Sequence, residues 1–209
     1  MRASWMGCGI ALALAALVLT GCASTRGGYD EETGGTQKLS RYMYYDEGEE
    51  AFFLVNAQPA MANYEREVIP LEIAVANKGL DELAVSTEEG VTLRRKGGGV
   101  WTAVSLEDNA KLRMKSQFDR KSQPQDLLEL MNTRFGIYRF FPPNFGFRQG
   151  DRAFSRVVEL PRFAYTIGTV YIDNPDPGGL SGETYEAWFE APELERPVFV
   201  TFSFPRSSE

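Results

Sequence analysis

The chain of 209 residues contains no histidine. That absence removes Ser-His-Asp and Cys-His nucleophile systems, histidine general bases and the usual histidine-containing zinc sites. Serine-lysine chemistry would survive it, but no Ser-x-x-Lys occurs, and there is no Gly-x-Ser-x-Gly elbow. No catalytic set, metal site or cofactor is therefore expected. Cysteine is almost missing as well: Cys8 and Cys22 are the only two. A folded region beyond them has no disulfide to draw on, so its stability must come from a hydrophobic core. Positive charge is also short, with 22 Lys and Arg against 29 Asp and Glu, for a formal net charge of −7. An acidic chain of this kind is a poor nucleic-acid binder. No long hydrophobic run occurs either, since the apolar stretch from Met6 to Leu19 covers 14 residues. That is short of the roughly 20 needed to span a bilayer as a helix.

What the N-terminus does hold is the layout of an export signal. A short basic region with Arg2 precedes an apolar segment from Ile10 to Leu19, and small residues follow. The segment closes on Leu19-Thr20-Gly21-Cys22. This ending resembles the lipobox of bacterial lipoproteins. The resemblance implies that residues 1–21 are a signal peptide and that Cys22 is lipidated as the first residue of the mature chain. Loss of Arg2 would take the mature charge to −8, because no acid precedes Cys22. Each buried lipid methylene is worth about 0.8 kcal/mol of membrane affinity, so several acyl chains on one cysteine give durable anchoring. By the same resemblance, Ala23 in place of Asp after the cysteine implies the outer membrane, facing the periplasm. No polybasic run follows Cys22 to add attraction to anionic lipid.

Residues 22–39 are rich in Ser, Thr, Gly and charge and read as a flexible tether. Residues 40–205 then read as a single domain, mainly β. Ile69, Leu71, Ile73 and Val75 alternate with residues of the opposite face, as in a half-buried strand. Leu83 with Val85, Val91 to Leu93 and Val100 to Val104 continue the series at short spacing. The last stretch adds strands at Thr166 to Ile172, Tyr185 to Glu190 and Val198 to Phe204, with Val198, Val200, Phe202 and Phe204 on one face. Between the two β regions, near 105–135, a helical insertion is expected across one edge. Its first part follows the Ser105-Leu106-Glu107-Asp108 capping signal, with Leu106, Ala110 and Met114 as a stripe. Its second part runs from Pro124 to Gly136 with Leu127, Leu128, Leu130 and Met131 as the buried side. The expected fold is an antiparallel β-sandwich. Strand spacing and the run Leu71 to Lys78 resemble immunoglobulin-like domains of bacterial lipoproteins, a resemblance of pattern that implies no activity.

Four local features carry chemistry worth weighing. Arg139-Phe140-Phe141-Pro142-Pro143-Asn144-Phe145-Gly146-Phe147 is the densest aromatic stretch. Phe140, Phe141, Phe145 and Phe147 form either a partner-binding patch or a cover over the core. Asp173 to Gly179 gathers oxygen ligands, but its prolines break a calcium-loop spacing and suit a long turn. Asp46-Glu47-Gly48-Glu49-Glu50 lies beside Tyr42, Tyr44 and Tyr45, the residue types a glycosidase uses. Carboxylates adjacent in sequence more simply make a solvated turn. Gly97-Gly98-Gly99 lacks the strand-to-helix setting of a phosphate loop and reads as a hairpin turn.

The expectation is thus a lipid-anchored, non-catalytic binding or scaffolding module of the bacterial cell envelope. It would hold the membrane through Cys22, bind an envelope protein and bind no nucleic acid. The alternative is a protein that binds cell-wall carbohydrate or cleaves it with carboxylates.

Overall fold

A computed structural model of the chain describes residues 35–86, 89–102, 125–141, 157–174, 177 and 179–204. Its elements follow one another as β1 (Gln37–Lys38), β2 (Met43–Glu47), β3 (Ala51–Asn56), α1 (Gln58–Met61), β4 (Val68–Asn77), β5 (Glu82–Ser86), β6 (Val91–Arg95) and β7 (Val100–Thr102). After these come α2 (Gln125–Arg134), β8 (Arg139–Phe140), β9 (Val157–Pro161), β10 (Ala164–Asp173), β11 (Thr184–Phe189) and β12 (Val198–Ser203). Among the described residues, one sheet has the strand order β1-β2-β3-β4-β10-β8, a second has β12-β11-β6-β7, and β5 and β9 form a separate ribbon. The pairings are antiparallel, except that the two-residue β8 lies parallel to β10. The fold is mainly β, as two sheets of largely antiparallel strands packed face to face.

Alternation of apolar residues builds this arrangement. In β4, Ile69, Leu71, Ile73 and Val75 face inward with Phe53 and Val55 of β3 and Val170 and Ile172 of β10. Val91 and Leu93 of β6, Tyr185, Ala187 and Phe189 of β11, and Val198, Val200 and Phe202 of β12 meet them from the second sheet. Phe53 and Phe189 span the two layers with ring centroids 5.7 Å apart. The longest pairing joins β4 to β10 over ten residues, from Asn77 opposite Ala164 to Val68 opposite Asp173.

The outer face of the larger sheet has its own apolar layer. Phe52, Leu54, Ala74, Ala76, Tyr165 and Ile167 are buried there with Leu127, Met131 and Phe135. Those last three are four residues apart and so share one stripe of α2 and its following turn. The expected helical insertion across an edge is corrected here: α2 covers a sheet face. Leu128 and Leu130 lie beside the stripe and are only partly buried. The first expected helix, after Ser105, lies outside the described residues.

Two further differences from the sequence reading concern the N-terminal side. Gln37 and Lys38 pair with Tyr45 and Tyr44, so sheet structure begins inside the stretch whose composition suggests a tether. Asp46 and Glu47 belong to β2 rather than to a solvated turn. Asp46 is buried, and its Oδ2 accepts the Phe199 N–H at 3.2 Å, joining β2 to β12 across the edge of the two sheets. The glycine run forms the β6–β7 hairpin. Gly97, Gly98 and Gly99 have φ of 106°, 130° and 95°, values that residues with a Cβ rarely adopt.

Candidate functional site: the surface around α2

The inward stripe of α2 fixes its outer flanks. At its C-terminal turn, Arg134 lies over the rings of Tyr45 at 4.5 Å and Phe52 at 5.1 Å. Its Nη2 also donates to Glu47 Oε2 at 2.6 Å. Glu47 Oε1 takes Lys78 Nζ at 3.2 Å, and the same ammonium donates to the Gly48 carbonyl at 2.8 Å. Burial pushes the Glu47 carboxyl upward, but the bonds from Arg134 and Lys78 outweigh it and hold it below its usual value. Further along the helix, the Tyr165 hydroxyl donates to Asn132 Oδ1. Phe135 meets Phe52 edge-on at 4.9 Å. The helix is therefore held by packing, one cation over two rings and a three-residue ionic network.

Beside this ridge runs an open depression of about 510 Å³, lined by Leu39, Asp126, Glu129, Leu130, Thr133 and Arg134. A second of about 370 Å³, lined by Leu128, Glu129, Asn132 and Thr133, lies along the helix as well. The larger has Leu39 and Leu130 between an acidic end, Asp126 with Glu129, and the cation of Arg134. Under the helix, Glu72 is held above the usual carboxylate range by burial. The Asn56 amide, donating at 2.7 Å, works against that rise, and nearby Asp126 adds to it. The depression is open along its length, which suits a segment of another macromolecule better than an enclosed small molecule.

The aromatic stretch enters this region through β8. Phe140 is half-buried, packs with the α2 layer and lies 5.3 Å from the Tyr165 ring. Phe141 is half-buried against the main core, and its N–H donates to the Tyr165 carbonyl at 2.8 Å. Both side chains are committed to packing. Phe145 and Phe147 lie outside the described residues, as does Cys22.

The acidic run does not assemble a catalytic pair. Among the described residues, Asp46 is the other carboxyl besides Glu72 held above its usual range, raised by burial against lowering bonds from the Phe199 and Glu47 N–H groups. By strand alternation Asp46 faces the second sheet and Glu72 faces α2, on opposite sides of the larger sheet. Glu50 is used structurally, its Oε2 accepting the Glu195 N–H at 2.8 Å. Of the Asp173 to Gly179 stretch, residues 175, 176 and 178 lie outside the described residues, and Asn174 has a structural contact. Asn174 is buried, and its amide donates to the carbonyls of Tyr64 and Arg66 at 3.0 and 2.8 Å, stapling the loop before β4. Among the described residues, no three acidic or cysteine side chains gather as a cation site. No described helix is long and apolar enough to cross a membrane.

Sequence reasoning missed the depression because its walls, Leu39 and Leu130, are remote in the chain. Leu130 also looked like part of the buried stripe. No family model matches the chain, and neither a similar curated protein nor a similar solved structure was found.

Proposed function

We propose that the protein is a lipid-anchored, non-catalytic binding or scaffolding module of the bacterial cell envelope, tethered through Cys22, with an envelope protein docking along α2. The observation that carries this reading is the open depression of about 510 Å³ beside a firmly seated helix. Leu39 and Leu130 offer apolar contact, while Asp126 and Glu129 favour a basic residue in the partner segment. The N-terminal signal ending in Leu19-Thr20-Gly21-Cys22 supports the anchored half of the proposal. The immunoglobulin-like character of the sandwich stays part of the proposal and adds nothing to the functional argument.

The test is crosslinking in intact cells, followed by detergent extraction and purification of the tagged chain. Leu39→Glu and Thr133→Arg alter exposed positions at the depression, and Cys22→Ser removes the acylation site. A specific envelope protein should be recovered with the wild type and lost with the two depression variants. It should be reduced with Cys22→Ser. Recovery of the acylated chain alone, at full expression, contradicts the proposal. Pelleting with isolated peptidoglycan would then test the carbohydrate reading.

A further inference from the structure

At one end of the sandwich, two large apolar side chains point into solvent. Ile137, in the turn after α2, is 94% exposed, and Phe163, between β9 and β10, is 49% exposed. The structure brings their segments together. The Arg139 N–H donates to the Phe163 carbonyl at 2.9 Å, and the half-buried Tyr138 ring meets Phe163 at 5.5 Å. Phe163 has a φ of 58°, the one non-glycine positive value among the described residues. Glycine or asparagine would hold this turn with less strain, so backbone stability gives no reason for a phenylalanine here. A strained, exposed aromatic beside an exposed isoleucine points to a contact outside the chain.

The entry point of the chain indicates what that contact is. Gly35 abuts Asp46, whose Oδ1 leaves no room for a Cβ there. The next residue, Glu47, pairs with Phe52, Phe52 with Ala76 and Ala76 with Tyr165, one position from the Ala164–Asn77–Ala51 row that ends this side of the sheet. The described chain therefore starts at the same end as Ile137 and Phe163. Three strand spacings, about 14 Å, separate β2 from β10. Between Cys22 and Gly35 lie 13 steps of chain (35 − 22), rich in Gly and Ser/Thr. As coil, they span about 20 Å on average. A lipid on Cys22 would place the bilayer within reach of this end. Around the tip, Arg139 is exposed and Arg162 shares its charge with the exposed Asp81 at 2.8 Å, while Glu49, Glu82 and Glu195 are exposed acids of the same end. Long cationic side chains beside apolar ones can lie at the headgroup level while the apolar groups enter the interface.

We infer that the Ile137–Phe163 tip dips into the bilayer interface and seats the domain end-on, leaving the depression beside α2 facing along the membrane. This rests on the anchored reading proposed above, and the test separates the two. The full chain is prepared from membranes with Ile137→Cys, or with Lys96→Cys on the β6–β7 hairpin at the other end. Each is labelled with an environment-sensitive fluorophore in phosphatidylethanolamine–phosphatidylglycerol vesicles carrying spin-labelled lipid. Quenching should be at least about tenfold stronger at 137 than at 96. Adding Phe163→Asn, whose side chain tolerates the turn, should weaken the quenching at 137 while leaving the folded spectrum intact.

Equal quenching at 137 and 96 overturns the inference. So does a probe at 137 that is shielded from aqueous iodide in native membranes yet untouched by lipid quencher, which marks a protein contact instead. The intact mass of the same preparation reports acylation of Cys22 separately. An unmodified Cys22 fails the anchor, whichever way the quenching falls.

Discussion

Replacing Met131 with alanine tests whether α2 is fixed to the sheet. Met131 is fully buried, with Leu127 one turn before it and Phe135 one turn after. Its neighbours in that layer include Phe52, Leu54 and Tyr165, side chains of paired strands that have little freedom to close around a void. Met-to-Ala changes in cores cost about 2–5 kcal/mol, and a site that cannot collapse lies away from the low end, so about 3 kcal/mol is expected. For a domain of this size each kcal/mol moves Tm by about 2–4 °C, so the transition should fall by about 6–12 °C. The assay is urea unfolding followed by circular dichroism, with thermal melting in parallel. The urea midpoint should drop while the slope stays constant, as expected for a loss of stability in one cooperative unit. Thr133→Ala, on the exposed flank two residues away, should stay within about 0.5 kcal/mol of wild type. A loss below about 1 kcal/mol for Met131→Ala would refute the reasoning. The helix would then not be seated on the sheet, and the depression beside it would have no fixed wall.

Three further outcomes are expected. Asp46 has a folded-state pKa above its ordinary 3.8, so ionising it costs stability as pH rises through the window between the two values. Asp46→Asn keeps an oxygen for the Phe199 N–H and should flatten that loss in urea midpoints taken across the acid range; an unchanged pH profile would count against the buried carboxylate. Glu47 has the opposite sign, its stabilisation present above 4.5 and lost as pH falls through its lowered folded value. Because the paired side chains are 23% to 36% exposed, Glu47→Gln should cost only about 1 kcal/mol near neutral pH, and a loss several times larger would show that solvent screening had been overestimated. Thr166 is buried at 1% exposure with a hydroxyl that makes no hydrogen bond, so Thr166→Val should raise stability by about 1 kcal/mol in the same assay, and a clear loss would reveal a partner for that oxygen.

Legibility of this fold followed the residue types on each strand's second face. β11 and β12 carry polar residues there, and β4 sets Glu72 and the small Ala74 and Ala76 against Ile69 to Val75, so the alternation shows although β4 is buried on both faces rather than half-buried. β10, also buried on both faces, sits at the Thr166 to Ile172 run. β3 shows no alternation, because Ala51 to Asn56 has large apolar residues on both faces, between the second sheet and α2. β2 was hidden by its own chemistry: Asp46 reads as surface until Phe199, distant in sequence, supplies the donor that lets it be buried. The helix was legible in its termini and its Leu127–Met131 stripe. Its docking face was not, because nothing local says whether a stripe covers an edge or a sheet. The same limit applies to the surfaces. Phe140 and Phe141 stand out by density and are half-buried against the two apolar layers, whereas Ile137 and Phe163 stand alone in sequence and are joined only by the meeting of two turns.

Photocrosslinking from the depression tests the central proposal most directly. A photoreactive phenylalanine analogue replaces Glu129, at the acidic end of the depression, or the exposed Val100 at the remote hairpin, and cells are irradiated intact. A discrete adduct is expected between position 129 and one envelope protein, absent from position 100. No adduct at 129, or the same set of adducts from both positions, would contradict a binding module that works through the surface beside α2.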